Sequence, residues 1–136
     1  MAESIVHMTL VNAIVAWIDS ETALARQLAI LVASPSASAS QCPPIVGGSI
    51  PDVYGRCGQN RIAVLGEAKT AGDIETNRSR RQYETYLKHL AAFDDATLVA
   101  AVPWYCVNQM RTLLNKIQIA TGTFGVNIVV LDKLPG

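Results

Sequence analysis

Apolar positions recur at near-helical spacing from about Glu3 to Ile18, where Ile5, Met8, Ile14, Val15 and Ile18 set a stripe and Trp17 adds bulk near its end. The pattern predicts a helix. A second run, Glu21 to Ala33, also reads as helix, and SPSASASQCPP after it is a Ser-, Ala- and Pro-rich loop that no hydrophobic period crosses. The period then changes. SIPDVYG, behind Gly47 and Gly48, reads as a short strand, RIAVLGEAK as a longer one, and CGQN between them as a hairpin-type turn that pairs the two. From Asn77 to Phe93 the chain has neither Gly nor Pro and carries a stripe of Tyr83, Leu87 and Leu90, which predicts a helix. ATLVAAVP reads as a fully buried strand, VNQMRTLLNKIQIA as a helix and GVNIVVLDK as a final strand. Strands alternating with helices imply crossover connections and a mixed, partly parallel sheet in an α/β fold.

Composition adds limits to this picture. A chain of 136 residues suits a single domain spanning 1–136. Half the residues are hydrophobic and only 16% are charged, against about 25% in an ordinary soluble domain. We therefore expect part of the surface to be covered by a second copy, with a homo-oligomer, a dimer first, as the expected state. Eleven Lys and Arg balance eleven Asp and Glu, so any site for a polyanion has to be local. Cys42, Cys57 and Cys106 lie far apart and the histidines are His7 and His89, a set that makes no convincing zinc site. The odd cysteine number favours reduced thiols and a cytoplasmic location. The N-terminal apolar run is broken by His7, Asn12 and Asp19 and reads as neither signal peptide nor membrane span.

The charges inside the apolar hairpin are the unusual feature. Side chains alternate along a strand, so Glu67 and Lys69 share a face with Ala63 and Leu65, with Cα atoms roughly 7 Å apart. Ile62, Val64, Gly66 and Ala68 occupy the other face, which makes this a central strand, apolar on both sides. Ions there cost several kcal/mol each unless compensated. Folding the hairpin back on itself brings Asp52 to the same end. Two neighbouring carboxylates call for a divalent cation, and hard oxygen ligands favour Mg2+ or Mn2+. A lysine beside such a metal suits a reaction on a phosphate.

Pro51-Asp52, fourteen intervening residues and Glu67-Ala68-Lys69 resemble the PD-(D/E)XK nuclease superfamily, which includes restriction endonucleases, Holliday junction resolvases and RecB-like nucleases. IPDVYG followed by VLGEAKT carries the likeness, and Gln82-Tyr83-Glu84-Thr85-Tyr86 is similar to the Q-x-x-x-Y element of RecB-like members. An E-x-K triplet alone is a weak signal. Its weight comes from its place at the end of an apolar β-run, after a Pro-Asp strand and before a helix bearing Arg78, Arg81, Gln82 and Tyr86, which helical spacing puts on one face. The resemblance implies a restriction-endonuclease-like αβββαβ core, a central mixed sheet flanked by helices with an extra N-terminal helix. It implies that Asp52, Glu67 and the Ala68 carbonyl hold Mg2+ or Mn2+, with Glu3 as a first-helix addition, and that Lys69 assists the attacking water. Gln82, Tyr86, Arg78 and Arg81 would line the substrate side.

The expected activity is metal-dependent hydrolysis of the DNA backbone, with RNA as the other possible substrate. The alternatives are a catalytically inactive nuclease-fold module that binds nucleic acid or protein, and an oligomeric structural subunit. A plainer reading exists for each group. Glu67 and Lys69 could form an exposed ion pair worth at most about 1 kcal/mol. Asp73 and Glu75 could start the following helix electrostatically. His7 and His89 read as packing or surface residues, and Trp17, Trp104 and Tyr105 as core or interface.

Overall fold

The computed structural model describes residues 5–21, 29–33, 42–56 and 61–131. Five strands form one sheet in the order β1 (Ala29–Val32), β2 (Val53–Arg56), β3 (Ile62–Ala68), β4 (Asp95–Ala101) and β5 (Asn127–Leu131). The first two pairings are antiparallel and the last two parallel, which is the mixed sheet the alternating pattern predicts. Helix α1 (Ile5–Ser20) covers one face, while α2 (Asn77–Leu90) and α3 (Val107–Thr121) lie between the parallel strands in sequence and cover the other.

Two apolar cores follow from this layering. Leu10, Val11, Ile14 and Ile18 of α1 bury against Val53, Val64, Ala68, Val99 and Ala101. On the far side, Leu65, Leu98 and Ala100 meet Tyr83, Tyr86 and Leu87 of α2 and Met110 and Leu114 of α3. Every residue of β3 from Ala63 to Ala68 is buried, as a strand apolar on both faces requires. Gly66 lets α1 come close: a Cβ there would lie 2.5 Å from the Ile14 Cγ2.

The segment Glu21 to Ala33 departs from its helical reading. Its described part, Ala29–Val32, is an edge strand that pairs antiparallel with β2, Val32 opposite Val53. A run of four apolar residues fits a buried helix turn and a strand equally well, so periodicity could not separate them; β-branched Ile30 and Val32 favour the sheet. The strand expected over Ser49 to Gly55 begins only at Val53, after an antiparallel bridge between Val46 and Ser49. CGQN lies outside the described residues. The cap of α2 also differs from expectation. Thr76 accepts a hydrogen bond from the Ser79 amide at 3.0 Å, while Asp73 and Glu75 accept bonds from the side chains of Thr70 and Gln109.

Candidate active site

Parallel pairing of β3 with β4 and antiparallel pairing of β2 with β3 bring the start of β2 and the ends of β3 and β4 to one rim of the sheet. Val53 faces Gly66 in the register, so the next position along the rim sets Asp52 against Glu67. The Ala33 amide donates to the Asp52 carbonyl at 2.8 Å, and this bond to the end of β1 fixes the backbone that carries the carboxylate. The Ala68 amide donates to Asp52 Oδ2 at 2.8 Å, and the Asp52 amide donates to Glu67 Oε1 at 3.2 Å. Each acid is thus held by a backbone N–H from the strand of the other. Both residues are buried.

Lys69 completes the group. Its Nζ lies 3.3 Å from Glu67 Oε2 and donates to Gln82 Oε1 at 2.5 Å, while its amide donates to the Ala101 carbonyl at 3.0 Å. Burial, and then the charge of Asp52, push the Glu67 carboxyl up to about 7, against the pull of Lys69. Ionised, the two acids and the lysine sum to a charge of −1. A buried net charge of this kind invites a cation. An open cleft of about 510 Å3 lies over these residues, with His7, Arg78, Ser79 and Gln82 also on its walls.

The sequence expectations meet this geometry unevenly. Asp52, Glu67, Ala68, Lys69 and Gln82 converge, and Arg78 stands at the cleft edge. Arg81 does not line this cleft; it faces a neighbouring groove. The four α2 residues therefore divide. Gln82 and Tyr86 are buried, whereas Arg78 and Arg81 are exposed. Tyr86 lies in the core beside Tyr83, and neither hydroxyl has a well-formed hydrogen bond. Burial, and then the charges of Glu67 and Asp52, raise both phenols, with Ser49 drawing Tyr86 slightly back. Glu3 lies outside the described residues.

His7, read from the sequence as a packing or surface residue, belongs to the site instead. Its Nε2 lies 3.3 Å from Asp52 Oδ2. His89 is a packing residue: its Nε2 bonds the Tyr54 hydroxyl at 2.6 Å, its ring leans on Phe93, and burial lowers its proton affinity. Trp104 and Tyr105 are not core; they form an exposed edge-to-face pair.

Among the described residues no three His, Cys, Asp or Glu side chains make a metal cage on their own. The donor set nonetheless fits a magnesium-type ion, which takes one or two carboxylates and fills its remaining positions with water and substrate phosphate.

No protein-family model and no curated protein matches the chain. Among solved structures, SfsA of Pyrococcus furiosus in complex with Ca2+ superposes with a TM-score of 0.52 at 16% identity, over 92% of this chain and 57% of that one. The present chain thus spans little more than half the length of its structural relative. At this identity the likeness is one of fold alone: an α/β, restriction-endonuclease-like core with an N-terminal helix.

Proposed function

We propose that this protein is a metal-dependent phosphodiesterase that hydrolyses the DNA backbone at the rim formed by Asp52, Glu67 and Lys69. The observation that carries the reading is the interlock at β2 and β3. Asp52 accepts the Ala68 amide while Glu67 accepts the Asp52 amide, so two acids are held together at a cost that a plain structural pair would avoid. Mg2+ or Mn2+, held by Asp52, Glu67 and the Ala68 carbonyl, would supply Lewis-acid polarisation of a phosphate and a more acidic water. The Ca2+ complex of SfsA concerns a hard dication of the same class, which supports an oxygen-ligand site here.

The chain's own side chains have separate tasks. Gln82 Oε1 and Glu67 Oε2 both engage Lys69 Nζ, which directs the ammonium toward the cleft. From there it orients a water for in-line attack and stabilises negative charge developing on the phosphoryl oxygens. His7 holds Asp52 from the α1 side. Arg78 and Arg81 supply positive charge on the substrate side, and Tyr86 supports the helix that carries Gln82.

The test uses plasmid DNA. Purified protein with Mg2+ or Mn2+ is expected to nick it, and Lys69→Ala or Glu67→Ala to abolish nicking with the fold intact by circular dichroism. Cleavage that persists in both variants overturns the assignment. Metal binding that depends on Asp52 without any cleavage would favour the inactive binding module.

A further inference from the structure

A second groove of about 540 Å3 lies along α2 and shares Arg78 and Gln82 with the candidate active cleft. The two therefore adjoin at these side chains. Beyond the shared residues the groove is walled by Arg81, Thr85 and Lys88, positions three, seven and ten after Arg78. Steps of three and four residues keep these side chains on one flank of a helix. Ten residues at 1.5 Å each make the stripe about 15 Å long.

The groove is also lined by Gly47 and Ser49 of a turn in which Gly47 and Gly48 take positive φ (58° and 86°). A Cβ at Gly47 would overlap the Thr85 methyl group, so this glycine lets the turn close against α2 at the groove. Three cations face it against one carboxylate, Glu84, a net charge of +2. The ion pairs among the described residues, His7–Asp52 and Lys69–Glu67, engage none of the three. In a chain with eleven basic and eleven acidic residues, this is a local field of the kind that a polyanion requires.

We propose that Arg78, Arg81 and Lys88 form a phosphate track that carries one nucleic-acid strand from the Asp52–Glu67 cleft along α2 to the Gly47 turn. The length suits a strand rather than a single nucleotide. A single strand in duplex geometry places one phosphate per 3.4 Å of axis, so a stripe of about 15 Å spans roughly four phosphates. The substrate is a polynucleotide, held by phosphates flanking the scissile one, rather than a mononucleotide or a small phosphodiester. This rests on the active-site reading for the position of the scissile bond, but the binding itself is measured without cleavage.

The probe is a fluorescein-labelled twelve-nucleotide single-stranded DNA, followed by anisotropy in EDTA over a salt series. The double variant Arg81→Ala/Lys88→Ala should bind at least tenfold more weakly at low salt. The slope of log affinity against log salt should become shallower by about 1.4, or 0.7 for each cation removed. Arg111→Ala/Lys116→Ala, exposed residues of α3, makes the same change in net charge away from the groove and should match the wild type. Wild-type protein that fails to bind, a groove variant that binds like wild type, or an α3 variant that weakens equally would each overturn the track. Strand binding with these signatures but no hydrolysis in Mg2+ or Mn2+ would leave the track standing and defeat the enzymatic reading.

Discussion

At the scale of single residues the site is a set of unfavourable charges arranged to be useful. Burial and the neighbouring Asp52 raise Glu67 from 4.5 to about 7. The folded state thus holds this proton more tightly than the unfolded chain does, so the group's contribution is fully present below about pH 4.5 and is lost as pH rises through about 7. The cost above that range is on the order of 3 kcal/mol in metal-free protein. Chemical denaturation in EDTA should accordingly show stability falling between pH 5 and pH 8, and Glu67→Gln should flatten that slope and be the more stable protein at pH 8. A variant whose pH profile tracks the wild type would refute this account of Glu67. Gln82 makes a different prediction, because its Oε1 accepts a hydrogen bond from Lys69 Nζ. Gln82→Ala should lower kcat about 10–100-fold, as loss of an orienting partner does elsewhere, with KM for DNA nearly unchanged. A loss confined to KM would instead make Gln82 a substrate contact.

At the scale of elements, the rim depends on how closely α1 approaches the sheet. Gly66 faces Ile14, and an added methyl meets the Ile14 Cγ2 at 2.5 Å and the Val53 Cβ at 3.2 Å. Gly66→Ala should therefore cost about 1–3 kcal/mol by urea denaturation, as overpacking does. Adding Ile14→Val should recover part of the loss if this contact is its source. If the double variant shows purely additive losses, the crowding lies elsewhere. The same elements show what a sequence can disclose. β3, α2, β4, α3 and β5 were legible because long periodic or uniformly apolar segments fix both their type and their buried face. β1 was not, since Ala29–Val32 is too short for its period to distinguish helix from strand, and only pairing with β2 decides it. Asp52, Glu67 and Lys69 were legible as charges misplaced in strands. His7 was not, because its closeness to Asp52 depends on how α1 packs across the sheet, a tertiary contact that spacing along the chain does not encode.

At the scale of the whole molecule, the mixed topology brings the parallel strand ends and the start of β2 to one rim, with α2 crossing from that rim along the phosphate track. The low charged content and exposed Trp104, Tyr105, Ile119 and Phe124 are the features behind the proposed homodimer, which sedimentation velocity over a concentration series would reveal. Metal binding links the residue scale to global stability. With Glu67 ionised, Asp52, Glu67 and Lys69 sum to one negative charge in the folded state, and a dication that binds this arrangement but not the unfolded chain must stabilise the fold by mass action. At a concentration one hundred times its Kd the gain is about 2.7 kcal/mol. Protons compete for Glu67, so the gain should be larger at pH 8 than at pH 6. Thermal unfolding with Ca2+, Mg2+ or Mn2+ should raise Tm by several degrees in the wild type at pH 8, by less at pH 6, and not at all in Asp52→Ala. An equal rise in that variant would place the ion elsewhere on the protein, and no rise in the wild type would remove the metal from this site altogether.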